Sequence, residues 1–138
     1  MRRSFRLLLL SMILVLVGPT LAQEEYAPLK KPGKKNWIGS EYYFIYNFDK
    51  KPKLGTVIVK IQLFSKDGKR DTSLKIIGKS GMPSMRGYHD TSDVDFKLNQ
   101  KGDYLMPVNV VMPGDWEVQV TFFKGDEPIF KGGILFDV

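Results

Sequence analysis

Alternation of apolar and polar residues constrains the fold of this chain more than any other feature of its sequence. From Glu41 onward, apolar residues recur at every second position in short runs separated by turn signals such as Asp67-Gly68 and Gly125-Asp126. This period predicts β-strands with one face on a core and the other in water. The predicted core-facing residues of the first six strands are Tyr42, Phe44, Tyr46 and Phe48; Val57, Val59, Ile61 and Leu63; Leu74 and Ile76; Val94, Phe96 and Leu98; Tyr104, Met106, Val108, Val110 and Met112; and Trp116, Val118, Val120 and Phe122.

A seventh strand is expected from Ile129 to Val138, with Gly132-Gly133 as a bulge. Seven short strands in about 100 residues indicate an all-β fold, an antiparallel β-sandwich of the immunoglobulin type. A small barrel is the alternative. Pro107 cannot donate a ladder hydrogen bond, so we expect a sheet edge or a bulge around it.

Two short motifs belong to this framework. Gly102-Asp103-Tyr104 resembles a tyrosine corner, in which the phenol bonds back to backbone near the strand start. Met112-Pro113-Gly114-Asp115 favours a tight turn, with a wider loop or bulge beside it because two-residue hairpins prefer other turn types.

The first 22 residues have the features of a signal peptide. Basic residues up to Arg6 precede an apolar run from Leu7 to Val17, and Thr20-Leu21-Ala22 offers a cleavage site. The run is shorter than the roughly 20 residues of a membrane span. An uncleaved anchor is the alternative. We therefore expect a signal peptide at 1–22, an extended leader at 23–39 and the sandwich at 40–138, in an exported protein located in the periplasm.

Composition excludes several function classes. The chain of 138 residues has no cysteine and one histidine, so disulfides, thiolate metal sites and multi-histidine sites are ruled out. No serine elbow, catalytic triad or phosphate-binding loop is present, which indicates a protein without catalytic activity. Without its three N-terminal arginines the chain has 18 basic and 15 acidic residues, a net charge of +3. Nucleic acid is therefore not expected as a partner.

The connection between the third and fourth strands is the candidate functional loop. Pro83 favours a β-turn that brings Met82 and Met85 within about 7 Å at their Cα atoms. Thioethers select Cu(I), and His89 could complete such a site. In the alternative, the two methionines fill gaps in the core, as is expected of Met106 and Met112. A calcium site at Asp90, Asp93 and Asp95 is not favoured, because no twelfth-position glutamate completes a calcium loop.

The motifs from Gly55 to Val138 together resemble the FixH/YtkA-like family of exported bacterial domains. The matching positions are Met82, Met85 and His89 in the loop, Gly102 and Tyr104 in the corner, and Met112, Gly114 and Trp116 in the turn. The resemblance implies an immunoglobulin-like sandwich. It also implies a link to copper, since FixH members are membrane-anchored and connected with assembly of a haem–copper oxidase, and other members occur beside copper-handling proteins.

Three functional hypotheses follow. The first is an accessory factor that binds Cu(I) weakly and assists assembly of a metalloprotein or respiratory oxidase. The second is a metal-free interaction or structural module whose partner is another envelope protein, with membrane contact only through residues 1–22 if these are retained. The third is binding to an anionic surface through Lys30, Lys31, Lys34 and Lys35 together with Lys50, Lys51 and Lys53.

Overall fold

The computed structural model describes Gly18 and residues 25–138, which form ten strands and one 3₁₀ turn. The predicted signal peptide at 1–22, apart from Gly18, lies outside the described residues. No helix in the described part of the chain is long and apolar enough to cross a membrane. The elements are β1 (Ala27–Pro28), β2 (Asn36–Ile38), β3 (Tyr42–Phe48), β4 (Gly55–Ser65), β5 (Lys75–Gly81), the 3₁₀ turn (Pro83–Met85), β6 (Val94–Asp95), β7 (Lys97–Leu98), β8 (Tyr104–Val110), β9 (Asp115–Lys124) and β10 (Glu127–Asp137).

The strands form two five-stranded sheets that pack face to face. Sheet A has the order β1-β10-β9-β5-β6, and sheet B has the order β2-β3-β4-β8-β7. Every pairing is antiparallel except that of β1 with β10. The predicted all-β sandwich is confirmed, and the barrel alternative is wrong because the two sheets stay separate.

The core lies between the sheets and consists mostly of residues that the alternation predicts, together with Ile38, Met82 and Ile134. Along β4 and β9, the inward positions are completely buried while their neighbours are partly exposed. Burial of this apolar surface is the main stabilising contribution to a domain without disulfides. The largest fully buried side chains are Trp116, Tyr104, Phe44, Phe122, Ile61, Leu63, Ile76, Met82, Met106 and Ile134.

Two of the ten strands come from the segment predicted as an extended leader. β1 pairs with β10 through Ala27 and Gly132, and β2 pairs with β3. Ile38 is buried, whereas Trp37 is 48% exposed and packs its ring on Tyr43 at 5.1 Å between centroids. This segment therefore adds one edge strand to each sheet.

The prediction of a single core-facing fourth strand is wrong, because this segment forms two short strands. β6 pairs with β5 in sheet A, and β7 pairs with β8 in sheet B, so the chain changes sheets at Phe96. Phe96 alone is buried, and Val94 and Leu98 are 37% and 47% exposed. The crossing needs space inside the sandwich: a Cβ on Gly78 would lie 2.7 Å from the Phe96 ring.

Two further expectations need correction. The register shift in β10 lies between Pro128 and Phe130, while Gly132 and Gly133 pair regularly with β9. These glycines instead allow close packing, because a Cβ on Gly132 would lie 2.6 Å from the Leu29 side chain. Likewise, residues 111–114 do not close a hairpin, because β8 and β9 belong to different sheets and the chain crosses between them.

Pro107 confirms the expected sheet edge. It is exposed on β8, opposite Ile58 of β4, and β7 pairs with β8 only at Leu105 and Tyr104. Beyond Leu105, β8 therefore has no second neighbour among the described strands, and the missing N–H of Pro107 breaks no ladder bond.

The connections lie at two ends of the sandwich. We call one the loop end; it contains residues 49–54, 82–91, 111–114 and the end of β10. The other is the corner end, which contains residues 66–74, 99–103 and 125–126.

Candidate functional site

The loop of residues 82–91, here called the methionine loop, begins with the turn that its sequence predicts. The Met85 amide donates to the Met82 carbonyl at 3.0 Å, and the Tyr88 amide donates to the Met85 carbonyl at 3.2 Å. Pro83 occupies the start of the resulting 3₁₀ turn, where its missing N–H leaves no unsatisfied donor. The predicted turn between Met82 and Met85 is confirmed.

The two methionines of this turn differ in exposure. Met82 is 2% exposed and belongs to the core, whereas Met85 is partly buried and packs against the core from outside. Met82 extends to Gly114, where a Cβ would lie 2.7 Å from its terminal methyl. Gly114 also has a φ of +138°, which residues with a side chain rarely adopt. Both this backbone conformation and the close contact with Met82 therefore require glycine here.

The turn that contains Gly114 is fixed on both sides. The Trp116 indole N–H donates to the Met112 carbonyl at 3.0 Å, and the Gly114 amide and carbonyl bond to Val138 at 2.8 and 3.0 Å. Met112 itself is partly buried against the core, in the turn beyond the end of β8. The expectation that Met112 continues the core face of the fifth strand is therefore wrong, whereas Met106 is a core residue as expected.

His89 comes to the same end of the sandwich. Its imidazole lies 6.4 Å from the Trp116 ring, centroid to centroid, and the residue is partly exposed. The loop and the turn thus place Met82 against Gly114 and His89 beside Trp116, at the same end of the sandwich as Met85 and Met112.

Polar contacts to β9 hold the loop in place. The Ser84 amide donates to Asp115 Oδ2 at 3.0 Å, and the Ser84 hydroxyl donates to the same carboxylate. The hydrogen bond from the Ser84 hydroxyl lowers the pKa of Asp115 below its ordinary value. Arg86 forms an ion pair with Glu117, and its guanidinium lies 4.0 Å from Asp90. The positive charge of Arg86 is therefore compensated on the outer face of sheet A.

The other two motif residues, Gly102 and Tyr104, lie at the corner end and contribute nothing to this site. The Tyr104 hydroxyl donates to the Leu74 carbonyl at 2.6 Å, and Gly102 has a φ of +79°. The predicted tyrosine corner is present in altered form, because its hydrogen bond reaches the segment that leads into sheet A. Burial raises the pKa of Tyr104 to about 12.

Asp103 is a buried polar residue that the sequence reasoning did not single out. Its carboxylate accepts hydrogen bonds from Arg70, from Gln62 at 3.2 Å and from Asn99 at 3.4 Å. Burial alone would raise the pKa of Asp103, but these hydrogen bonds and the Arg70 charge together lower it. The only sequence signal was its place directly before a core tyrosine.

Carboxylates and imidazole do not form a metal site by themselves in the described part of the chain. No group of three or more histidine, cysteine, aspartate or glutamate residues that could hold a metal ion occurs among residues 25–138. A thioether site belongs to a different class, since its ligands are methionine sulphurs.

Shallow grooves cross the described surface. One of about 240 Å³ crosses the outer face of sheet A beside Ile77, Lys79, Asp93 and Gln119. It is lined by one carboxylate and by no histidine or serine.

A comparison of the chain with known protein families, curated proteins and solved structures finds no match.

Proposed function

We propose that this chain is a non-catalytic, exported β-sandwich protein of the FixH/YtkA-like kind that binds Cu(I) at its loop end. In this role it assists assembly of a metalloprotein, such as a respiratory oxidase in the bacterial envelope. The observation that carries the proposal is the hydrogen-bonded turn joining Met82 to Met85, with His89 on the same loop.

The available donors suit Cu(I) better than other metals. Thioether sulphur is a soft ligand that favours Cu(I), and a neutral imidazole is compatible with it. Met85 and His89 are partly exposed, so an incoming ion can reach them from solvent. Met82 would complete the set from the core side. A binding site held by turn hydrogen bonds and exposed polar contacts suits a protein that takes up and releases its cargo.

The ion pairs of Arg86, which neutralise its charge beside the proposed metal site, also support the proposal. Arg86 follows Met85 directly, and an unpaired guanidinium there would repel a metal ion. Its ion pair with Glu117 and its approach to Asp90 offset that charge.

An anaerobic competition titration against a chromophoric Cu(I) chelator tests this function. The double substitution Met82→Leu/Met85→Leu removes both sulphurs and nearly preserves side-chain volume, so the fold should tolerate it. We expect it to weaken Cu(I) binding at least about tenfold, because two of the three ligands are lost. His89→Gln should weaken it as well.

Met106→Leu provides the matched control. Met106 is equally buried, at 1% exposure, but lies on β8 away from the loop. Its substitution should leave the affinity for Cu(I) unchanged. The copper proposal is wrong if the wild-type protein does not compete with the chelator, or if the loop variant and the control bind equally.

A metal-free interaction module is the second candidate, and one surface favours it. On the outer face of sheet B, Trp37 packs on Tyr43, which stacks on Phe64 with 5.0 Å between centroids. Tyr43 is buried by this packing, and Trp37, at 48% exposure, is the aromatic side chain that a partner could contact, as tryptophans often anchor protein interfaces. If this face binds an envelope protein, a photo-crosslinker at position 37 should capture one defined partner. The same probe at Tyr88 on the loop should not.

A further inference from the structure

The two lysine clusters, far apart in the sequence, lie at the same end of the sandwich. Residues 49–54 join β3 to β4 at the loop end. Residues 30–35 join β1 to β2, and the Gly33 amide donates to the Tyr46 carbonyl at 3.0 Å. Tyr46 is two residues from the end of β3, which corresponds to less than about 10 Å along the strand. The two lysine segments are therefore close to each other at this end.

All of the positive charge excess of residues 25–138 belongs to this end. The loop end with the adjoining lysine segment, that is residues 30–35, 49–54, 82–91, 111–115 and 135–138, contains seven lysines, one arginine and four acids, an excess of four. The other residues within 25–138 contain ten basic and ten acidic side chains. None of the seven lysines forms an ion pair with another residue of the described range 25–138, so their charges are not compensated locally.

Exposed apolar side chains lie among these lysines. Leu54 and Val111 are 55% and 53% exposed and flank the paired residues Gly55 and Val110. Tyr88, at 79% exposure, lies at the same end on the methionine loop. Leu135, at 56%, lies there near the end of strand β10. Four of the seven large exposed hydrophobic residues of the described chain are therefore at the loop end.

We propose that the loop end docks on the surface of an anionic lipid bilayer. Lysines on flexible stems are attracted to anionic headgroups without a defined geometry. Apolar loop tips can enter the interfacial region while the charges stay at headgroup level. The combination of uncompensated lysines with protruding apolar tips favours a bilayer over an acidic protein, which would need a matching fixed surface.

Docking of this kind would turn the methionine loop towards the membrane. The lysine and apolar residues involved are different from Met82, Met85 and His89, so the inference does not depend on copper binding. A protein that fails to bind Cu(I) could still dock, and the reverse also holds.

Vesicle flotation tests the inference, with protein purified from the envelope of cells that express the full chain. The vesicles contain either phosphatidylcholine alone or phosphatidylcholine with one third phosphatidylglycerol. We expect binding to the anionic vesicles and little to the neutral ones. Lys50→Gln/Lys51→Gln/Lys53→Gln should weaken binding about a hundredfold, since each lysine near an anionic surface contributes about fivefold.

The matched control removes the same charge from the other end. Lys69→Gln/Lys101→Gln/Lys124→Gln changes three lysines at or beside the corner end and should alter binding by less than about twofold. Leu54→Ser/Val111→Ser leaves the charge intact and should weaken binding about tenfold, because apolar burial in the interface is lost.

Three results would overturn the inference. One is equal binding to neutral and anionic vesicles, and another is an equal loss in the two lysine triples, which would reflect net charge alone. Absence of binding to anionic vesicles is the third, and it would leave an acidic protein as the occupant of this end. Binding should also fall when salt is raised from 0.1 to 0.5 M, because the charges are exposed.

Discussion

The two ends of this sandwich are closed by different kinds of contacts. At the corner end, buried polar groups join the segments: Tyr104 donates to Leu74, and Asp103 accepts from Arg70 and two amides. At the loop end, Met82 and Trp116 fill the opening, and polar bonds to the loop, such as that between Ser84 and Asp115, are exposed.

This difference predicts different energetic roles for the two ends of one small domain. Buried hydrogen bonds are costly to break, because the remaining partner is left without water. Exposed bonds and soft side chains can rearrange at low cost, which suits a site that takes up a ligand. We therefore expect the corner end to hold the sheets together, and we propose the loop end as the surface that meets partners.

The largest effect should follow from removing the carboxylate at the corner end. Asp103→Ala leaves Arg70, Gln62 and Asn99 without their shared acceptor and should cost about 3 kcal/mol of unfolding free energy. This is the lower end of the range for breaking a buried ion pair, because Arg70 is partly exposed. Asp115→Ala at the loop end should cost much less, because that carboxylate is in water. Urea denaturation measures both changes, and equal losses would show that the two ends do not differ as described.

Acid should selectively remove the contribution of Asp103. Its folded-state pKa is lowered below the ordinary 3.8, so the carboxylate stabilises the fold above that pH and loses this effect as pH falls towards the folded-state value. The stability difference between the wild-type protein and Asp103→Asn should therefore be largest above about pH 5 and shrink on acidification. A difference that stays constant from neutral pH to about pH 2 would contradict the assigned role.

Removing one buried hydroxyl should have an intermediate effect. Tyr104→Phe deletes the donor to the Leu74 carbonyl and should cost about 1–2 kcal/mol. Tyr46→Phe is the matched control, because Tyr46 is also 2% exposed but its hydroxyl makes no hydrogen bond with residues 25–138. The control should change thermal stability only slightly. Similar losses in both variants would mean that the Leu74 bond contributes nothing particular.

The smallest effect should come from loosening the loop itself. Ser84→Ala removes the hydroxyl bond to Asp115 and should increase amide hydrogen exchange at Met85 and Tyr88 by about two- to fivefold, with little change in global stability. Ser73→Ala, which removes a similar exposed bond to Asp71, should leave those amides unaffected. Exchange that is unchanged in Ser84→Ala would show that other contacts hold the loop.

Much of the fold could be predicted from the sequence because alternation reports burial directly. The inward residues of β4, β5, β8 and β9 follow the period-two pattern, whereas in β3 the outward-facing Tyr43 is buried as well and Tyr42 and Phe48 are only partly buried. Alternation says nothing about which sheet a strand joins, and it therefore missed the change of sheets at Phe96. Short edge strands such as β1 escaped detection because two residues carry no period.

The candidate site was only partly accessible to sequence reasoning. The turn from Met82 to Met85 follows from Pro83, whose effect is local. The contact of Met82 with Gly114 and the bond of Trp116 to Met112 depend on a crossing between sheets. Asp103 was missed for a related reason, since its partners Arg70 and Gln62 come from distant segments.

Methionine methyl NMR during an anaerobic Cu(I) titration tests the central claim most directly, because it reports each thioether separately. With ¹³C-labelled methionine methyls, the signals of Met82 and Met85 should shift on addition of one equivalent of Cu(I), together with the ring signals of His89. The signal of Met106, buried elsewhere in the same core, should stay in place. Absence of any shift at Met82 and Met85, or an equal shift at Met106, would contradict a copper site at the loop end.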